Sequence, residues 1–149
     1  MLVPPPLLFV VPLVLGLYLH GRDPLVHVTG PYARALRVLG LALVLVGSAH
    51  VLFSVALFVR SRTTVLPHGR SSALVTGGAF RWTRNPMYLG FTLVYLGVAA
   101  QNAAVWPLVF LWVPLLVLQT RVIPFEERQL EGSIGPPYAA YRARVRRWL

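Results

Sequence analysis

The sequence has no cysteine and no lysine, and only four of its 149 residues are acidic. Without cysteine there can be no disulfide, thiolate nucleophile, iron–sulfur cluster or thiolate zinc site. The four histidines, His20, His27, His50 and His68, are scattered without metal-ligand spacing, so no metal is expected. The fingerprints of soluble cofactor enzymes are missing as well. There is no G-x-G-x-x-G after a strand, no phosphate loop, no H-E-x-x-H and no G-x-S-x-G. The N-terminus has no basic segment ahead of a Pro-rich apolar run, so no cleavable signal is expected.

Charge is scarce. Charged residues make up 12% of the chain, where a soluble domain carries roughly a quarter. Hydrophobic residues make up 56%, and the mean hydropathy is +0.66. These values describe a small, single-domain integral membrane protein. The net charge of +10 comes from 14 basic residues, all Arg. Nucleic-acid binding would need a solvated basic face with interleaved aromatics. Here the Arg residues flank apolar runs, which points to anionic membrane lipids as partners and excludes nucleic acid.

The expected fold class is all-α, a polytopic membrane protein with about four transmembrane helices. The spans fall near residues 3–19, 36–59, 86–100 and 103–120. Pro12 should kink the first. Gly40, Gly47, Ser48 and Ala49 give the second a small-residue strip for close helix contact. Residues 20–31 read as a loop, and 60–85 as a long polar loop with five Arg and no acid. Loops of that length are uncommon without a function. Gln101 and Asn102 make a tight turn, so the last two spans form a helical hairpin. Pro124 is expected to break the chain and start a tail, 121–149, outside the membrane. Ile134, Tyr138, Tyr141, Val145 and Trp148 recur at helical spacing, with Arg142, Arg144, Arg146 and Arg147 off that stripe. This predicts a basic amphipathic helix lying in the membrane interface.

Four spans put both termini on one side. That side holds Arg60, Arg62, Arg70, Arg81, Arg84, Arg121, Arg128, Arg142, Arg144, Arg146 and Arg147. The other holds Arg22, Arg34 and Arg37. The positive-inside rule makes the Arg-rich side cytosolic.

The chemistry-bearing residues cluster on that side. In the stretch from Arg81 to Gly90, Asn85 before Pro86 is a helix start, with Asn as N-cap and Pro at the first helical position. A helix N-terminus beside Arg84 is equally a ready anion site. Glu126 and Glu127 either complement a helix dipole and pair with Arg121 or Arg128, or hold a cationic ligand. His50, near the middle of the second span, either makes an interhelical hydrogen bond or lines a cavity.

The ordered set LVTGGAFRWTRNPMYLG, a helical hairpin, PFEERQL and GPPYAAYRARVRRW resembles the isoprenylcysteine carboxyl methyltransferase and phospholipid methyltransferase family of integral membrane enzymes. The likeness runs over roughly residues 60–149. It implies S-adenosylmethionine as methyl donor, bound on the cytosolic side, and a lipid-like acceptor entering from the bilayer. By position, Leu74, Val75, Thr76 and Gly78 would border the adenosine, and Asn85, Pro86, Tyr88 and Glu127 would contact the donor. Arg84, Glu126 and Glu127 would be the catalytic group. His50, Tyr138 and Tyr141 would border the acceptor. Many family members carry His where this chain has Asn85, which can hydrogen-bond but cannot act as an acid or base. The Arg-rich mouth points to an anionic acceptor, methylated on a carboxylate; an amine headgroup of a phospholipid is the alternative. Distant relatives with the same helical layout are nicotinamide-dependent reductases of sterol or polyprenyl double bonds. Such a reductase, or a non-catalytic scaffold, is the reading of another class.

Overall fold

A computed structural model describes residues 4–60 and 74–149. These residues form helices and turns, with no strand among them. The first helix, α1, spans Pro5–Arg22, with Pro12 inside it. The second, α2, spans Gly30–Arg60. It starts earlier than the hydropathy suggests, because Pro31 falls in its first turn, where a missing N–H costs nothing. The expected loop at 20–31 is therefore shorter, between Arg22 and Gly30.

A single-turn 3-10 helix at Gly78–Arg81 leads into α3, Pro86–Gln101. Then come α4, Trp106–Phe110, and α5, Trp112–Val117. A π-helical turn at Leu118–Val122 joins them to α6, Ile123–Ile134. Together the last four elements make one rod, Trp106–Ile134. The break expected at Pro124 does not occur. The Ile123 N–H bonds to the Leu118 carbonyl, five residues back. That wider turn sits just ahead of the proline, whose ring would otherwise press on a carbonyl of the preceding turn.

Among the described residues, three helices are long and apolar enough to cross a membrane: Pro5–Arg22, Gly30–Arg60 and Trp106–Ile134. The fourth apolar helix, α3, has 16 residues, or about 24 Å, short of a hydrocarbon core of ~30 Å. Large apolar side chains stay exposed along α1, α2, α4 and α5, among them Val11, Val38, Leu52 and Trp112. Those faces meet lipid, and the chain is an integral membrane protein.

The tightest packing joins α2 to α3, which run antiparallel. A Cβ added at Gly40 would come within 2.5 Å of the Gly97 carbonyl oxygen, and one at Gly47 within 2.6 Å of the Gly90 oxygen. Backbone touches backbone there, as small-residue strips in membranes permit. Gly47→Val should therefore force the two helices apart. A loss of about 1–3 kcal/mol is expected, read as a lower thermal midpoint in detergent. A midpoint equal to the parent's would mean the contact carries no stability.

Helix α1 runs beside α3 and α4. Phe9 meets Phe91 and Tyr95, Gly16 sits against the Pro107 backbone, and the Trp106 indole donates to the Asp23 carbonyl at 2.9 Å. The core consists of Phe9, Tyr88, Tyr95, Leu118, Val122 and Ile123. Tyr95 donates its hydroxyl to the Pro107 carbonyl at 2.7 Å. This is how a buried tyrosine satisfies its polar end.

The tail departs from expectation. Its helix, α7, covers only Pro136–Arg144, set off from α6 by Gly135 at φ +70, a value that suits glycine. Val145 is already extended, with φ −115 and ψ 130. The apolar stripe is therefore split between α6, α7 and a terminal strap, 145–149. It faces the protein itself, since Tyr138 and Tyr141 are buried and Trp148 packs on the core.

Candidate active site

The site is built at the end of the bundle where α3 begins and the long rod passes into α6. Asn85 occupies the N-cap position of α3, with Pro86 in the first turn. Its side chain does not cap the helix. The amide Nδ2 instead donates to the Arg147 carbonyl at 2.8 Å. Thr83 donates its hydroxyl to the same carbonyl at 3.1 Å and accepts the Asn85 N–H at 3.1 Å. The Arg84 N–H donates to the Arg146 carbonyl at 2.9 Å. The segment before α3 is thus bound, backbone and side chain, to the C-terminal strap.

One turn into α3, Tyr88 donates its hydroxyl to Glu126 Oε1 at 2.6 Å. Adjacent helical positions point about 100° apart, so Glu126 and Glu127 face different partners. Glu127 is buried, with its side chain 9% exposed. Its Oε1 lies 3.1 Å from Arg84 Nη2. Arg147 forks onto both oxygens, Nη2 to Oε2 at 2.7 Å and Nε to Oε1 at 3.2 Å. The sequence offered Arg121 and Arg128 as partners for the acid pair; both are exposed, and Arg84 and Arg147 take Glu127 instead. Glu126 has no ion pair among the described residues.

The tail covers the cluster. Tyr141 donates its hydroxyl to the Phe80 carbonyl at 2.7 Å, and its ring sits 6.3 Å from that of Tyr138. Burial pushes the Tyr141 hydroxyl up to about 12. Burial, and then the charge of Glu127, also raise Tyr138. Both phenols therefore stay neutral. Hydrogen bonding to Glu127 raises Arg147 further above its ordinary value. At the rim, Arg142 pairs with Glu131.

The other expected site residues fall around this cluster. Leu74 and Val75 are half-buried, while Thr76 and Gly78 are exposed. Gly78 has φ +58, and a Cβ there would lie 2.5 Å from Phe53 Cε1. Its close approach is to α2, at Phe53 and Leu57. The segment joins the site through Phe80, which is clasped by Tyr141 and stacked edge-on with Phe58 at 5.3 Å. His50 makes its bond inside its own helix, Nδ1 to the Val46 carbonyl at 3.0 Å. Its neighbour Val51 touches Gly90, so His50 lies at the depth of the first turns of α3, with no hydrogen bond to the carboxylates. His68, Arg62 and Arg70 lie outside the described residues.

Two features were missed by sequence reasoning. Arg147, grouped with the lipid-anchoring tail Arg residues, turns inward. Thr83 is buried and ties the mouth to the strap. The available signal was Trp148, whose place on the apolar stripe announces that the terminus returns to the protein.

A bundle of lipid-facing helices closed at one end by a cluster of acids, arginines and phenols defines an integral membrane protein with a polar cluster at that end. The phospholipid methyltransferase family matches residues 35–135, more than half of the chain, and the protein belongs to that family. This makes it a membrane methyltransferase of the class that acts on lipids. No curated protein and no solved structure matches the chain. The family match begins in α2 and ends at Gly135, so Tyr138, Tyr141 and Arg147 lie beyond it.

Proposed function

We propose that the chain transfers a methyl group from S-adenosylmethionine to the amine headgroup of a membrane lipid. The observation that supports an amine is Glu126, which accepts from Tyr88 and has no ion pair among the described residues. The expectation of an anionic acceptor rested on an Arg-rich mouth. At the cluster, however, two arginines stand beside two acids, and Glu127 engages both arginines.

The donor's chemistry suits the residues present. Arg84 keeps Nε and Nη1 buried and without a partner among the described residues, and such donors fit a carboxylate of the kind the donor carries. Asn85 and Tyr88 stand beside it, and Leu74 to Gly78 would border its adenosine. Bound S-adenosylmethionine would supply an electrophilic methyl group on a sulfonium. Glu126 holds the acceptor's ammonium and takes its proton, leaving a nitrogen lone pair for attack. Tyr88 fixes the carboxylate that does this. Tyr138 and Tyr141 shield the site from water. The remaining work is alignment of an in-line displacement. By the Arg count, this end of the bundle faces the cytosol, and the exposed Arg144 and Arg146 meet anionic lipid.

A carboxylate acceptor, as in the isoprenylcysteine enzymes that the chain resembles, is the second reading, favoured by the same free donors of Arg84. Product chemistry separates the two. Purified protein is incubated with methyl-labelled donor and vesicles of an ethanolamine-headgroup lipid, or with a prenylated cysteine analogue. Label that survives alkali in the lipid headgroup supports the amine. Label released by alkali as methanol marks a methyl ester and overturns it.

A further inference from the structure

We infer that Arg147, held in place by the C-terminal strap, is a positioning residue that aims the free donors of Arg84 at an anionic ligand. This rests on the reading that those donors receive the carboxylate of the methyl donor. The strap is anchored at three points: the Arg84 N–H on the Arg146 carbonyl at 2.9 Å, Thr83 and Asn85 on the Arg147 carbonyl at 3.1 and 2.8 Å, and the Trp148 indole on Gln119 Oε1 at 3.0 Å. A segment fixed so closely places its side chain with little freedom. Arg147 then forks onto both oxygens of Glu127. Arg84, by contrast, spends one nitrogen, Nη2, on Glu127 Oε1.

The order of control follows from this geometry. A carboxylate held by one single-point contact can rotate, and its partner rotates with it. A carboxylate held by a fork cannot, because a planar guanidinium fixes both oxygens in one plane. Glu127 is therefore oriented by Arg147, and it orients Arg84 in turn. What is left is a guanidinium with Nε and Nη1 buried and unpartnered among the described residues. Two arginines on one carboxylate also leave this triad one positive charge in excess, which favours an anion. Arg147 reaches the ligand only through Glu127 and Arg84.

The test is titration calorimetry in detergent with S-adenosylhomocysteine, the demethylated form of the donor, with a melting curve recorded for each variant. R147A is expected to bind about tenfold more weakly, the worth of a charge-assisted hydrogen bond. R147K keeps the charge but cannot fork, so its affinity should fall between R147A and the parent. The double variant R147A/E127Q should bind no more weakly than the weaker single variant, because both act through one ion pair. Should R147A fail to give a cooperative melt, R147K alone decides, and parent-like binding by it overturns the inference. Parent-like binding by a folded R147A, or additive losses in the double variant, overturns it too while leaving the cofactor reading intact. No binding by the unmodified protein overturns both.

Discussion

Glu126→Gln is expected to slow methyl transfer to an amine lipid about 10²- to 10⁴-fold, the usual contribution of a positioned general base. The substitution keeps the shape of the side chain and an oxygen that can accept from Tyr88, so the 2.6 Å contact survives. It removes the ability to take a proton. An ammonium headgroup has no lone pair until that proton leaves, so the loss belongs in the turnover number. Binding of S-adenosylhomocysteine should stay within a few-fold of the parent, because the donor is held by other groups. The measurement is kcat with labelled donor, set beside a binding isotherm. An unchanged kcat would remove Glu126 as the base. A carboxylate acceptor needs no base, so a large loss there would point to positioning instead.

Glu127→Ala should be the most destabilising single change at the site, lowering stability by about 3–5 kcal/mol. The carboxylate is 9% exposed and its partner Arg84 11%. Truncation leaves Arg84 buried with all its charge uncompensated, and leaves Arg147 close to a like charge. The cost comes mainly from these stranded cations, more than from the lost contact itself. That gives a second expectation. Replacing all three partners by apolar side chains of similar volume, Arg84→Met with Glu127→Leu and Arg147→Met, should recover much of the loss. Midpoints of unfolding in a detergent titration would report both. If the triple variant is no more stable than Glu127→Ala, the loss comes from packing and not from unpaired charge. Either variant should abolish ligand binding, so stability and function separate at this triad.

These expectations show how the sequence and the fold divide the work. The pair Asn85-Pro86 marked the start of α3 correctly, because proline at a first turn is a local backbone rule. The role of the Asn85 side chain was not legible, since its partner, the Arg147 carbonyl, lies 62 residues away. Pro124 read as a break, and a local rule misled there. The π turn at Leu118–Val122 absorbs the proline and carries the rod on to Glu126 and Glu127. The aromatic stripe in the tail was seen, but its environment was misassigned. Spacing says that Tyr138 and Tyr141 share a face; it does not say whether lipid or the Phe80 turn covers that face. The family motifs singled out Arg84, Tyr88 and the acid pair, which the fold brings into contact. They did not reveal that Glu127 would be taken by two arginines while Glu126 would not.

Membership of the membrane was determined by the sequence alone. Hydropathy adds residue by residue along a helix, and an apolar rod needs no knowledge of its neighbours to prefer lipid. The same is true of the antiparallel turn at Gln101 and Asn102 and of the small residues Gly40 and Gly47 that invite a partner. Only the tertiary structure decided which charges meet. Ion pairing in a nearly dry interior depends on distances of a few ångströms. Those distances join Thr83 to the strap across 64 residues and Glu127 to Arg147 across 20. No local pattern encodes them, so the division of labour between two adjacent acids appears only when the chain has folded.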